Sequence, residues 1–277
     1  MQFYNVKQSI PLHKSCQAIG MPASEPYPGT QSVLRAVALL KAFSDSQPEL
    51  GLTELARSAG LNKTTAFRML TALESAGLVA KNRETDSYRL GPEVIALGGR
   101  ALRANRLYLA SRPELEALAR KTGETATLEV LAGSETLILD EVLSQYFVGT
   151  TPSIGTRWPA HTTSTGKTLL AFLAEADLQA VLAGPLAKQT RRSIVQPHLL
   201  RRAFEHIRSR GYAVADEELE IGFVAVGAPV RNHDGRVLAA ISIGGPSVRM
   251  TRTKVDSVAP LVMQAADRIS KRLGYSQ

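Results

Sequence analysis

The chain has 277 residues, of which 44% are hydrophobic and 21% charged, enough for two domains with separate cores. No apolar run approaches the ~20 residues that span a bilayer. The single cysteine, Cys16, excludes an internal disulfide and a cysteine metal cage. A formal net charge of +8 suits an anionic partner without identifying one.

Residues 1–29 are polar, contain Pro11, Pro22, Pro26 and Pro28, and show little periodicity, so a disordered tail is expected. The tail lacks the apolar core of a signal peptide, and Met21 is a candidate translation start. A helix is expected over 32–44, with Val33, Val37, Leu39 and Leu40 inward and Arg35 and Lys41 outward.

The next segment, LTELARSAGLNKTTAFRMLT, carries the strongest signal. Leu52, Leu55, Ala56 and Ala59 share a helical face. Thr53 reads as the N-cap, with Glu54 in the first turn. Gly60 stops the helix and Leu61 fills the turn. Asn62 then caps a second helix over 63–75, whose inward stripe is Ala66, Met69, Leu70 and Leu73. Its outer face begins with Lys63, Thr64, Thr65 and Arg68, short hydroxyls and long cations suited to phosphates and base edges. This is the layout of a helix-turn-helix reader.

A wing follows. Residues 78–81 and 87–90 read as strands joined by a polar turn, with Arg83 and Arg89 placed to meet a DNA backbone. The alternative is a small helical domain with a solvated basic face. The agreement of two-helix spacing, the Asn-Lys-Thr-Thr start and a basic wing favours DNA. The expected contact set is Thr53, Asn62, Lys63, Thr64, Thr65, Arg68, Arg83 and Arg89. Residues 30–107 hold eleven basic against seven acidic side chains, a denser excess than the twenty against seventeen of residues 108–277.

Residues 30–92 thus form an expected winged helix-turn-helix domain, and 93–107 a linker helix with Val94, Ile95, Leu97, Ala101 and Leu102 as its apolar stripe. Gly98 and Gly99 weaken that helix by roughly 1 kcal/mol each relative to alanine. Beyond it, residues 108–277 alternate helices and strands. Helices are expected over 112–121, 163–173, 175–182, 197–210 and 255–273. Strands are expected over 125–131, 135–142, 224–230 and 237–243, the last two joined by a turn at 232–235.

Catalytic patterns are missing from this half. Ser164-Thr165-Gly166-Lys167-Thr168 resembles the end of a phosphate-binding loop, but the first glycine of that pattern is replaced by His161. An enzyme is therefore not expected, and neither a cofactor nor a metal is implied. The acidic run Asp216-Glu217-Glu218-Leu219-Glu220 reads as solvated or structural, and His161 as a residue that fixes the following helix start or covers a pocket. That helix start, at Thr163, Ser164, Thr165 and Gly166, offers backbone N–H groups to a carboxylate.

The segments SVLRAVALLKAF, LTELARSAGLNKTTAFRMLTALESAGLV, YRLGPEVIALG, WPAHTTSTGKTLLA and GYAVADEELEIGFVAVGAPVRNHDGRVLAAISIGGP together resemble the IclR family of bacterial transcription regulators. The resemblance runs from about Thr30 to near the C-terminus. It implies an α+β protein: a winged helix-turn-helix domain, a linker helix and a GAF-like α/β effector-binding domain with a central antiparallel sheet. It implies pairing through the linker region into homodimers or dimers of dimers, a pseudo-palindromic double-stranded operator, and no membrane partner. The place of action would be the bacterial cytoplasm, at the nucleoid. It implies an effector pocket with Thr163, Ser164, Thr165 and Gly166 on one wall and Asp216, Gly222, Phe223, Ala225 and Ser242 opposite. Trp158, Phe147 and Ile154 are candidates for apolar cover. Members that bind small keto acids often carry cysteine where this chain has Ala225. That departure favours a larger carboxylate, with aromatic acids in the expected class. The rival reading is a DNA-binding protein with a purely structural dimerisation domain.

Overall fold

In the computed structural model, which describes residues 29–44, 46–146 and 154–276, the chain divides into two compact units between Asn105 and Arg106. The expected tail, Cys16, Met21 and Phe147 lie outside the described residues.

The N-terminal unit opens with α1 (Gln31–Leu40), shorter than the expected 32–44. Leu39 is its buried anchor, whereas Val33 and Val37 are exposed rather than inward. Positions 33, 34 and 37 share one helical face, and that face is left uncovered within the unit. A short strand β1 (Glu49–Gly51) precedes α2 (Leu52–Ser58). Gly51, not Thr53, is the N-cap, because Leu52 is already helical and Glu54 reaches back to accept the Gly51 N–H at 3.1 Å. Thr53 sits exposed in the first turn. Gly60 takes φ +65°, the left-handed conformation that ends the helix.

The second helix, α3 (Lys63–Ser75), matches its expected span, and Asn62 Oδ1 accepts the Thr65 N–H at 2.8 Å. Strands β2 (Val79–Asn82) and β3 (Ser87–Leu90) form the wing, and β1 adds to β3 as a third strand. Leu39, Leu55, Leu70, Val79 and Tyr88 meet in the core. The unit closes with α4 (Pro92–Ala104), which buries no residue and exposes Ile95 and Leu97. The expected linker ended at 107, but Leu107 belongs to the next helix and to the second core.

The C-terminal unit is built on a six-stranded antiparallel sheet of order β6-β5-β4-β9-β8-β7. Its strands are β4 (Thr125–Ala132), β5 (Glu135–Val142), β6 (Arg157–Pro159), β7 (Ala213–Asp216), β8 (Phe223–Arg231) and β9 (Val237–Pro246). Its helices are α5 (Arg106–Thr122), α6 (Ser164–Ala171), α7 (Glu175–Leu182), α8 (Pro197–Arg210) and α9 (Arg252–Arg272). The period of two sorts the sheet faces. Ala126, Leu128, Val226, Ala228, Ile241 and Ile243 pack beneath α5 and α9. Thr127, Glu129, Gly227 and Ser242 point the other way. On that side α6 and α8 enclose a smaller core with Leu170, Leu200 and Phe204. No helix among the described residues is long and apolar enough to cross a membrane.

Candidate nucleic-acid interface and ligand pocket

The capped start of α3 presents Lys63, Thr64 and Arg68 to solvent, with Thr65 half-buried beside them. Arg83 in the wing turn and Arg89 on β3 are exposed as well. Lys81 is occupied: it pairs with Asp86 at 2.6 Å and lies over the Tyr88 ring. Sequence reasoning passed over Phe67, which is 49% exposed on the same helix between Thr64 and Arg68. The available signal was a large apolar residue off the inward stripe, and such a group can meet thymine methyls in a major groove.

The pocket of the C-terminal unit starts from one close approach. A Cβ at Gly227 would lie 2.9 to 3.0 Å from backbone atoms of Ser164 and Thr165. Glycine there lets the first turn of α6 rest directly on the sheet. Thr163 caps that turn by accepting the Gly166 N–H at 2.9 Å. Strand register then lays Glu141, Thr127, Ser242 and Gly227 in one row across β5, β4, β9 and β8. Above the row lies a cavity of about 360 Å³, a size that suits a small ligand.

Six expected residues line it: Thr163, Ser164, Thr165, Phe223, Ala225 and Ser242. Trp158 does too, whereas Ile154 is exposed away from it. Three expected residues do not. Gly166 is turned against the Ala160 backbone, where a Cβ would have no room. Gly222 faces open space at φ +86°. Asp216 is exposed and accepts a hydrogen bond from Arg192 at 2.7 Å. Two more carboxylates of the acidic run are also answered by cations: Glu217 faces Arg192 at 3.3 Å and Glu218 pairs with Lys167.

The pocket floor is more acidic than the sequence reading foresaw. Thr165 Oγ1 donates to Glu129 Oε2 at 2.6 Å, and Thr127 Oγ1 donates to Glu129 Oε1 at 2.9 Å. Ser242 Oγ lies 2.8 Å from Thr127 Oγ1. A hydroxyl has one proton, so with Thr127 committed to Glu129, Ser242 is the donor in that last contact. Burial pushes the Glu129 carboxyl up, opposed by the threonine hydroxyls, Thr165 foremost. Burial, then Asp140 and Glu129, raises Glu141 to about 7. Arg249, at the cavity edge, is forked onto Glu124 at 2.6 and 2.7 Å and stacks on the Tyr146 ring.

Sequence reasoning missed Glu124, Glu129, Glu141 and Arg249. The polar alternation Thr125, Thr127, Glu129 within an otherwise apolar strand was the signal for one of them.

Two other singled-out residues are structural. Lys167 is buried, donating to Glu218 and to the Val214 carbonyl at 2.7 Å. Burial pushes Lys167 down and Glu218 up, each partly reversed by the other. His161 is buried beside the α6 start, with Nε2 3.0 Å from the Ala187 carbonyl, and burial lowers its pKa.

Comparison with known proteins bears on both units. Residues 99–271 match the family described as "Bacterial transcriptional regulator IclR C-terminal", and residues 32–83 match "IclR helix-turn-helix domain". The chain is 32% identical over 249 residues to the HTH-type transcriptional regulator XynR of Escherichia coli, covering 90% of this chain and 99% of that one. It superposes on an IclR transcriptional regulator from Alicyclobacillus acidocaldarius with a TM-score of 0.81 at 30% identity, covering 88% and 98% of the two chains. An IclR homolog from Microbacterium hydrocarbonoxydans, solved in complex with 4-hydroxybenzoate, superposes with a TM-score of 0.77 at 26% identity over 87% and 98%.

Proposed function

The chain belongs to the IclR family of DNA-binding transcriptional regulators with a C-terminal effector-binding domain, and from that premise we propose how its two units work. Lys63, Thr64, Thr65 and Arg68 enter a major groove, and Arg83 and Arg89 hold the flanking phosphates. The chain acts as a homodimer or dimer of dimers on a pseudo-palindromic operator, in the bacterial cytoplasm at the nucleoid. The uncovered apolar faces of α1 and α4 supply the pairing surface.

The effector is a small carboxylate, aromatic rather than a short keto acid. The observation that carries this is the Gly227 seat, which places the N-terminal turn of α6 against a polar-floored cavity. The N–H groups of a helix start favour an anion. Ala225 and the ring of Phe223 leave space and apolar cover. The 4-hydroxybenzoate held by the Microbacterium relative fits the same class. The effector shifts operator affinity only by preferring one arrangement of the assembled protein.

A melting-temperature screen of the full chain against aliphatic and aromatic carboxylates tests this reading. A ligand of the folded state raises the transition with concentration, and the same compound must then shift affinity for DNA from the protein's own promoter. No response across the panel would favour a structural, ligand-free C-terminal unit.

A further inference from the structure

The cavity floor holds more hydrogen-bond acceptors than the protein satisfies. Glu141 Oε1 is shut off from water and has no hydrogen-bond partner. Its strand neighbour across the ladder is Thr127, whose proton is spent on Glu129. Glu129 is itself buried and takes the protons of Thr127 and Thr165. Ser242, the remaining hydroxyl of the row, points its proton at Thr127. The nearby guanidinium of Arg249 is held in its fork on Glu124. None of these hydroxyls reaches Glu141 Oε1, and a buried acceptor left open is costly.

We propose that the effector brings the missing donor: it is a carboxylate whose far end carries a hydroxyl or amino group, taken up by Glu141 with Glu129 behind it. The inference rests on the carboxylate reading above and narrows it. The carboxylate end lies at the α6 start, and the donor end lies on the β4–β5 floor. A ligand with acceptors at both ends, such as a dicarboxylate, sets like charges together in a water-poor site and leaves Glu141 Oε1 open. The pocket thus selects against it as well as for the donor. Burial holds both floor carboxyls above their ordinary range, and a ligand donor relieves this by stabilising the charged, accepting form.

Calorimetric titration of the full chain with benzoate, 3- and 4-hydroxybenzoate, 4-aminobenzoate and terephthalate decides it. At least one hydroxy or amino compound should bind roughly tenfold or more tightly than benzoate, the worth of one hydrogen bond to a charged group. Terephthalate should bind more weakly than benzoate. In Glu141→Met, which removes the acceptor at similar volume, the ratio of hydroxylated to plain ligand should fall toward one. Glu141→Gln keeps an acceptor oxygen and should retain part of the preference. Benzoate binding as tightly as its derivatives, or a preference unchanged in Glu141→Met, overturns the inference while leaving the carboxylate pocket standing. Binding by no member of the panel overturns the pocket reading and this inference together.

Discussion

The hydroxyl of Thr165 donates to Oε2 of Glu129 at 2.6 Å, and this bond fastens the first turn of α6 to the floor strand β4. Both side chains are buried, so the carboxylate has few alternatives. Thr165→Val keeps the shape and removes the donor. It should destabilise the C-terminal unit by about 1–3 kcal/mol, the cost of leaving a buried acceptor short. Thr165→Ser should recover most of this. Urea unfolding of the two variants is the measurement, and equal midpoints for Val and Thr would remove the bond from any structural role.

Glu141 makes the fold sensitive to pH. Burial, reinforced by Asp140 and Glu129, lifts it from an ordinary 4.5 to about 7. The folded state therefore binds this proton more tightly than the unfolded chain does. Its contribution is most favourable below 4.5, declines as pH rises through the window up to about 7, and stays low above it. Glu141→Gln cannot lose a proton. The stability of this variant relative to the parent should climb across the same window and then level off. Unfolding free energies at a series of pH values give that difference, and a flat line would contradict the raised carboxyl.

Gly227 should tolerate no larger residue. Its place under α6 depends on space, since an added Cβ would lie 2.9 to 3.0 Å from the Ser164 carbonyl group and the Thr165 nitrogen. These are backbone atoms of a capped helix start and cannot swing aside. Gly227→Ala should cost roughly 1–3 kcal/mol, the usual range for overpacking. It should also weaken carboxylate binding by lifting the α6 turn from the pocket floor. Retention of both stability and binding would show that the helix is less firmly seated than the close approach implies.

What was legible in the sequence follows from how far each feature reaches. Asn62, Gly60 and the stripe of α3 act within a few residues, so the reader helix emerged with its observed bounds. Thr53 failed as a cap because Glu54 closes back on Gly51, and a one-residue shift of a helix start leaves almost no trace in periodicity. Val33 and Val37 were read inward because an apolar stripe does not say which surface covers it. Strands β1 and β6 are only three residues long, too short for alternation to register. The wall formed by α6 was legible from a local Thr-Ser-Thr-Gly start. The acidic part of the floor was not, because Glu141 comes level with Thr127 and Ser242 only through cross-strand register. Asp216 left the pocket because Arg192, twenty-four residues earlier, holds it outside.

The reader face can be divided into charge and shape. Lys63 and Arg68 are exposed cations at the start of α3, and truncating each to alanine should leave stability within about 0.5 kcal/mol, as for ordinary surface changes. If each neutralises a phosphate, the slope of log affinity against log salt should shrink by about 0.9 per residue. Phe67 is different: it is uncharged and 49% exposed between them. Phe67→Ala should lower affinity for the operator with no change of salt slope. Its effect should be larger on sequences with thymine in the contacted step, where a methyl group meets the ring. Salt titrations of the three single variants on promoter DNA and on a scrambled duplex separate these roles. A Phe67→Ala loss that is equal on both duplexes would make the ring a spacer for the helix, with no part in reading the sequence.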